Sequence, residues 1–487
     1  MSNKADYGSS SINIDQERHS ISSPRDEEEQ GSSSHNYNEE EQEPEPDVEE
    51  FIKKYGDIKV SYIEPSPLSR WFTKPYALNY FHNGTLFRTR HERTSGKLEL
   101  FFDLIYVGIA TNLSSNALKE PTWLSFVKYL FFFIPAWQIW ADIKDFMNYY
   151  FNDDLLQKCY ILWNLALLLI YDNNVEFIFE SRTALITTVT TYFLARFSFG
   201  LMLVFYSLYI HEHRIQMRIY GTSLFITSSC WYFTLLIQHN STAGLIVFSA
   251  IWFIVEQLCY ILSAHPWTKK KLGLTYSTAL NIEHEDERLS AFFIIAIGEF
   301  MTGIVNGNPL KEGWNIKVAK GIALLVQAFV ILELYSHKDG SIKAVHAMRR
   351  SAFTAIGFIY IHFPLIASLL LVGDAGADLV KEHEEYPEEK GIVYFYSASM
   401  FIAMCALTIH PLLDKPKDNP KDHLIPRLGR IGLRIPIGGI ILGLAFTHWK
   451  IITLLWIDTL FLLILFIYEL FAINPRSFYR SGYCHDV

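Results

Sequence analysis

The sequence predicts an all-α polytopic membrane protein of about twelve transmembrane helices, and three observations carry that expectation. Apolar stretches of about twenty residues recur from residue 98 to residue 472, long enough to cross a ~30 Å hydrocarbon core at roughly 1.5 Å per residue. Half of the 487 residues are hydrophobic and 15% are aromatic, even though the first fifty are polar and acidic. Finally, the basic residues between the stretches alternate in density, as expected when successive loops lie on opposite sides of a bilayer.

Taken in order, residues 1–50 end in "NEEEQEPEPDVEE" and carry few aromatics. Such a segment cannot bury enough apolar surface to order itself, so it is predicted to be a disordered acidic cytoplasmic tail. Residues 51–97 form a juxtamembrane segment whose "SRWFTKPYALNYF" suits packing along the membrane surface. The predicted helices are 98–118, 122–141, 155–172, 184–210, 217–238, 243–264, 289–306, 318–337, 351–373, 391–412, 431–447 and 451–472. They group into a first six-helix half (98–264), a cytoplasmic linker (265–288), a second half (289–472) and a cytoplasmic C-terminal tail (473–487). In the short eleventh segment, Gly439 and Gly443 form a G-x-x-x-G that would permit close helix packing.

With the N-terminus inside, every inside loop holds at least two basic residues and no outside loop more than two. Both termini are therefore predicted to be cytoplasmic, in the plasma membrane or an endomembrane. Asn240 of "NST" then falls outside, where it is a glycosylation candidate. The first and seventh segments, "ELFFDLIYVGIATNL" and "LSAFFIIAIGEFMTGIV", would run in the same direction. Aligning their Phe pairs also aligns Thr111 with Thr302. Two parallel halves with a site between them near mid-membrane are the expectation.

Several chemistries lack support. No basic patch with interleaved aromatics points to nucleic acid. The five cysteines form no C-x-x-C pair, and no H-E-x-x-H, G-x-S-x-G or phosphate-loop pattern occurs. "NIEHEDER" offers metal-ligand types but reads as a solvated cytoplasmic loop. No cofactor or metal is expected, and an enzyme is the least supported class.

The intramembrane ionisable residues are the functional candidates, because such groups usually face a bundle interior or a wet cavity. Glu99 and Asp103 lie four apart, hence on one stripe of the first helix. Glu99 sits near the cytoplasmic face, where it could pair with Lys97 or Arg93. Arg196 is mid-helix and needs a carboxylate, with Asp103, Glu256 and Glu299 as the alternatives. Glu299 stands beside Gly298, with Thr302 and Asn306 on neighbouring turns able to add oxygen ligands. Glu256 and Glu333 read as interfacial or pairing residues. His362 could relay protons, or simply bond a carbonyl that Pro364 frees by interrupting the helix ladder.

Four stretches carry a resemblance. "GKLELFFDLIYVGIATNLS", "WQIWADIKDFMNYYFNDD" with Asp153 and Asp154, "EHEDERLSAFFIIAIGEFMTGI" with Glu287, Arg288, Gly298 and Glu299, and "YIHFPLIASLLLVGD" with His362 and Pro364 resemble the low temperature requirement A (LtrA) family from about residue 96 to 470. The acidic tail and the loop "KEHEEYPEEK" depart from the bacterial pattern and look like fungal elaborations. The resemblance implies a multi-pass membrane protein and supplies neither substrate nor reaction. On the residues themselves, the expected function is a transporter or channel for protons, cations or a small cationic solute. Asp103 and Glu299 would bind in alternation and Arg196 would act as counter-charge. The alternative is a membrane scaffold or lipid- and cold-responsive protein. The bilayer and a small cation or proton are the expected partners; oligomeric state and substrate are left open.

Overall fold

The computed structural model describes residues 59–474 apart from 65–66, 68, 90–94, 239–240, 342–343, 383–385, 388–389 and 420–422. The acidic tail, Asn240 and residues 475–487 lie outside the described residues.

A small sheet precedes the helices. Strands β1 (Lys59–Ile63), β2 (Asn79–His82) and β3 (Thr85–Thr89) are joined by β4 (Tyr276–Thr278) in the order β1-β3-β2-β4, with β1 parallel to β3 and the other pairs antiparallel. The hairpin turns on Asn83 and Gly84, both at positive φ (49° and 80°), as a tight two-residue Asn-Gly turn requires. Part of the juxtamembrane segment is thus tied by backbone pairing to the linker before the seventh predicted helix.

All twelve predicted segments contain helix. In chain order these are α1 (Lys97–Leu118), α2 (Trp123–Tyr150), α3 (Leu155–Val175), α4 (Arg182–Tyr209), α5 (Arg214–Cys230) and α6 (Thr242–Ala264). After the short α7 (Pro266–Lys271) come α8 (Ile282–Val305) and α9 (Ile316–His337). One turn, α10 (Ala347–Arg350), leads into α11 (Ala352–Lys381) and α12 (Lys390–Leu412); α13 (Arg427–Ile431), α14 (Arg434–Leu444) and α15 (Ile451–Ile473) close the chain. A two-stranded pairing of Ala344–Val345 with Lys415–Pro416 links the loops before α10 and after α12.

Among the described residues, nine helices are long and apolar enough to cross a membrane. The other three predicted spans fall short for separate reasons. α1 carries Lys97, Glu99 and Asp103, which dilute its apolar character; α5 has 17 residues before it tightens into a 3-10 turn at Trp231–Leu236; α14 has 11 residues, about 16 Å of helix. Among the described residues no helix uses the G-x-x-x-G: Gly439 and Gly443 have no neighbour within reach of a Cβ, while Gly438 packs on Met404 and Phe401 of α12.

Short polar side chains start the helices by accepting otherwise unsatisfied amides. Thr122 caps α2, Asp154 α3, Asn281 α8, Asn315 α9 and Ser351 α11. α11 is the centre of the bundle. Its residues from Leu365 to Val380 are buried on nearly every face, as befits a helix surrounded by others, and it packs on α1, α8, α9 and α12. Gly373 lets it approach α8 so closely that a Cβ there would lie 2.6 Å from Phe300 Cα.

Candidate functional site

Among the described residues, three polar clusters hold predicted candidates, beside a separate buried pair of Arg434 with Glu469 that joins α14 to α15. The first joins α1, α2 and α8. Glu99 and Asp103 do share one face, as their spacing predicts, and both are fully buried. Their partner is Arg288, also fully buried: its Nε donates to Asp103 Oδ2 (3.1 Å), one terminal nitrogen to Asp103 Oδ1 (2.7 Å), and the other lies 3.1 Å from Glu99 Oε1. Trp140 Nε1 donates to Asp103 Oδ1 (2.8 Å), His284 Nε2 sits 3.0 Å from Glu99 Oε1, and the Gly96 amide donates to Glu99 Oε2 (2.7 Å). The fork geometry of arginine suits a two-point grip on one carboxylate with a third contact to another.

The cluster continues sideways. Lys144 pairs with Glu285 and, at 2.8 Å, with Asp145, whose other oxygen accepts from Tyr260 (2.6 Å). Asn148 donates to the Asn281 carbonyl (3.0 Å). The "NIEHEDER" stretch is therefore not a solvated loop. Asn281 caps α8 at Ile282, seven residues before the predicted start, and the spacing of His284, Glu285 and Arg288 turns all three inward.

The second cluster holds Arg196. It pairs with Asp142 of α2 and lies 3.6 Å from Glu256 of α6. Glu256 was one of its three expected partners; Asp142 was not singled out, and Asp103 and Glu299 are engaged elsewhere or apart. Tyr220 donates to Asp142 (3.1 Å), while Tyr192 (2.6 Å) and Trp231 (3.0 Å) donate to Glu256.

The third cluster runs along α9. Tyr335 contacts His362 Nε2 (3.2 Å) and Ser290 (3.2 Å), and stacks on His410, whose ring centre is 5.0 Å from that of His362. His362 Nδ1 lies 2.8 Å from the Phe358 carbonyl, so Nδ1 carries the hydrogen and Nε2 is free to accept from Tyr335. The carbonyl used is thus Phe358, not the Tyr360 carbonyl that Pro364 deprives of its helix donor. Eight residues further into the membrane, Gln327 donates to Thr459 (3.0 Å) and accepts from Tyr396. Next to Thr459 is Asp458, fully buried, with neither carboxylate oxygen hydrogen-bonded among the described residues. Seven residues beyond Gln327, Lys320 donates to the Leu379 and Glu382 carbonyls (both 3.1 Å).

The remaining predicted residues stand apart from these clusters. Glu299 is half-buried and makes no hydrogen bond or ion pair among the described residues; Thr302 donates to the Gly298 carbonyl of its own helix (3.3 Å), and Asn306 is exposed at the end of α8. Glu333 pairs with His337 (3.3 Å) one turn on. Asp154, of the predicted acidic pair, caps α3 and accepts from the Thr73 amide (2.9 Å).

The model of the family described as "Bacterial low temperature requirement A protein (LtrA)" matches residues 94–472. The chain belongs to the LtrA family. The match spans every helix from α1 to the penultimate residue of α15, and with them all three polar clusters. The LtrA match supports an integral membrane protein of multiple apolar helices. No curated protein and no solved structure matches the chain.

Sequence reasoning missed Trp140, Asp142 and Lys144, and read Glu285 as part of a solvated loop. The signal was present: Asp142 and Lys144 follow directly on an apolar run, and the predicted end of the second helix, at 141, falls nine residues too early. Extending that helix to Tyr150 places both charges inside it.

Proposed function

We propose that the protein is a twelve-span transporter of protons or small cations, with both termini cytoplasmic and two six-helix halves. Its path would follow the buried face of α9. The observation that carries this reading is the sequence of polar groups along that face at Tyr335, Gln327 and Lys320, separated by about 12 Å and about 10 Å of helix rise. Midway, beside Thr459, stands Asp458 with no partner among the described residues. A charge held there alone is costly, and a passing proton or cation would relieve that cost. At the cytoplasmic end, Asp286 lies 3.6 Å from His346, giving an entry from loop to core through His410 and His362. In this reading Asp103 and Glu99 are anchors, because Arg288 already satisfies them.

The test is flux into liposomes holding the purified protein, read with pH- and cation-sensitive dyes. Asp458→Asn is expected to lower the flux at least tenfold while Glu299→Gln leaves it intact. Flux lost in Glu299→Gln and kept in Asp458→Asn would move the site to the α1–α8 side. The scaffold reading draws on the fully paired cluster around Arg288, which resembles a structural clasp. It predicts no flux from any variant under any gradient.

A further inference from the structure

A cavity of about 530 Å³ lies between α2, α4, α5, α6 and α11, away from the polar face of α9. Its volume falls within the range of small-molecule sites. The wall is apolar and aromatic, with Phe131, Phe253 and Phe363 among its members, and Gln138, Asp142 and Arg196 form a polar end. Ile254 and Leu258 of α6 both line the cavity and are 60% and 52% exposed on the molecular surface. In a membrane-spanning α6 that surface meets hydrocarbon, so the mouth opens sideways into the bilayer.

The polar end is incompletely satisfied. Arg196 is buried and uses its terminal nitrogens on Asp142 and Glu256, leaving Nε without a partner among the described residues. Gln138, equally buried, makes its one hydrogen bond among the described residues with the Tyr192 hydroxyl. Tyr192 has a single hydrogen, and Glu256 takes it at 2.6 Å. The structure points Gln138 Oε1 at that hydroxyl and leaves Nε2 without a partner among the described residues. With the tyrosine hydrogen on Glu256, it is the flipped amide, Nε2 donating to the tyrosine oxygen, that makes a hydrogen bond, and this turns Oε1 toward the cavity. One buried donor and one buried acceptor therefore border the same cavity. The charges around them are Asp142, Asp145 and Glu256 against Arg196 and Lys144, the last shared with Glu285.

We infer that this cavity binds a neutral, hydroxyl-headed lipid-like molecule entering from the bilayer. A hydroxyl accepts from Arg196 Nε and donates to Gln138 Oε1 at once. A carboxylate head would add negative charge where carboxylates already outnumber cations, and would meet Oε1 without a hydrogen to give it. An ammonium head would face Arg196 and leave Nε unmet. A pure hydrocarbon satisfies neither atom. At the ~30 Å³ that a water molecule occupies in the liquid, the cavity holds roughly eighteen non-hydrogen atoms, which matches a single long-chain or isoprenoid alcohol.

The test uses the full-length protein in nanodiscs and a diazirine-bearing sixteen-carbon alcohol, with labelled positions mapped by peptide mass spectrometry. Labelling is expected to be saturable and to fall on α6 and α11. It should be competed by hexadecanol, and at least tenfold less well by hexadecanoic acid, hexadecylamine or hexadecane. Ala250 lines the cavity and is exposed at its rim, so Ala250→Trp should block entry with little burden on folding and lower labelling at least tenfold. Gln138→Leu should abolish the preference for alcohol over hydrocarbon. Monodispersity and an unchanged melting temperature keep Ala250→Trp interpretable. Equal labelling in that variant, or competition by acid, amine or alkane as strong as by alcohol, overturns the inference. Because no residue of the α9 path is altered, ion flux serves as an independent readout.

Discussion

Replacing Arg288 by methionine removes the cation that, among the described residues, bridges Glu99 and Asp103, in a place where none of the three side chains has any exposure. Taking one member out of a buried ion pair costs about 3–5 kcal/mol, because the surviving charge stays desolvated. Asp103 would retain Trp140 at 2.8 Å, and Glu99 would retain the Gly96 amide at 2.7 Å and His284 at 3.0 Å. These surviving donors keep the expected loss at about 3–4 kcal/mol, toward the lower end of that range. Asp103→Asn should cost less, about 1.5–3 kcal/mol, since it weakens charge-assisted bonds while Arg288 keeps Glu99. In the double variant the stranded charge at position 103 is gone. Its loss should therefore fall short of the sum by about 1 kcal/mol or more. Unfolding in mixed micelles, followed by thiol labelling of the half-buried Cys230, Cys259 and Cys405, measures all three. A loss below about 1 kcal/mol for Arg288→Met, or a cycle additive within about 0.5 kcal/mol, would refute the desolvated clasp.

Two further outcomes follow from the fold. His213, in the loop between α4 and α5, is held by burial and then by Lys269 at a pKa of about 3. The unfolded imidazole takes up a proton below about 6.5 while the folded one does not, so stability falls as pH drops from about 6.5 to about 3, by about 1.4 kcal/mol per pH unit, with no contribution above that window. Melting temperatures of wild type and His213→Gln across pH 4–8 should diverge in slope only on the acid side, and parallel curves throughout would sink this. At the α11–α8 crossing, Gly373→Ala puts a methyl group 2.6 Å from backbone Phe300 Cα, and overpacking against backbone should destabilise by about 1–3 kcal/mol. Gly439→Ala, in open space, should leave the melting temperature unchanged in the same assay.

What could be read in the sequence was whatever depends on spacing within one segment. The positions of the helices followed from apolar run length, and the shared face of Glu99 and Asp103 from the 3.6-residue period. The Asn83-Gly84 hairpin was legible too, flanked by "NYFH" and "TLFRT", and went unread because the juxtamembrane segment was judged by composition. Partner choice was not legible. Arg288 is 185 positions from Asp103 in the chain, Arg196 is 54 from Asp142, and neither separation carries a periodic signal.

The sequence by itself determined that this chain is a bundle of apolar helices with costly charges placed along them, because hydrocarbon thickness and helix rise constrain every segment separately. Only the tertiary structure decided which charges meet. Arg288 rather than Arg196 closes on Asp103, His284, Glu285 and Arg288 of "NIEHEDER" turn inward, and Asp458 is left without a partner among the described residues. The physical reason is that a buried charge is satisfied by whichever neighbour packing brings within about 3 Å, and neighbours across a bundle are set by helix contacts that no local pattern records.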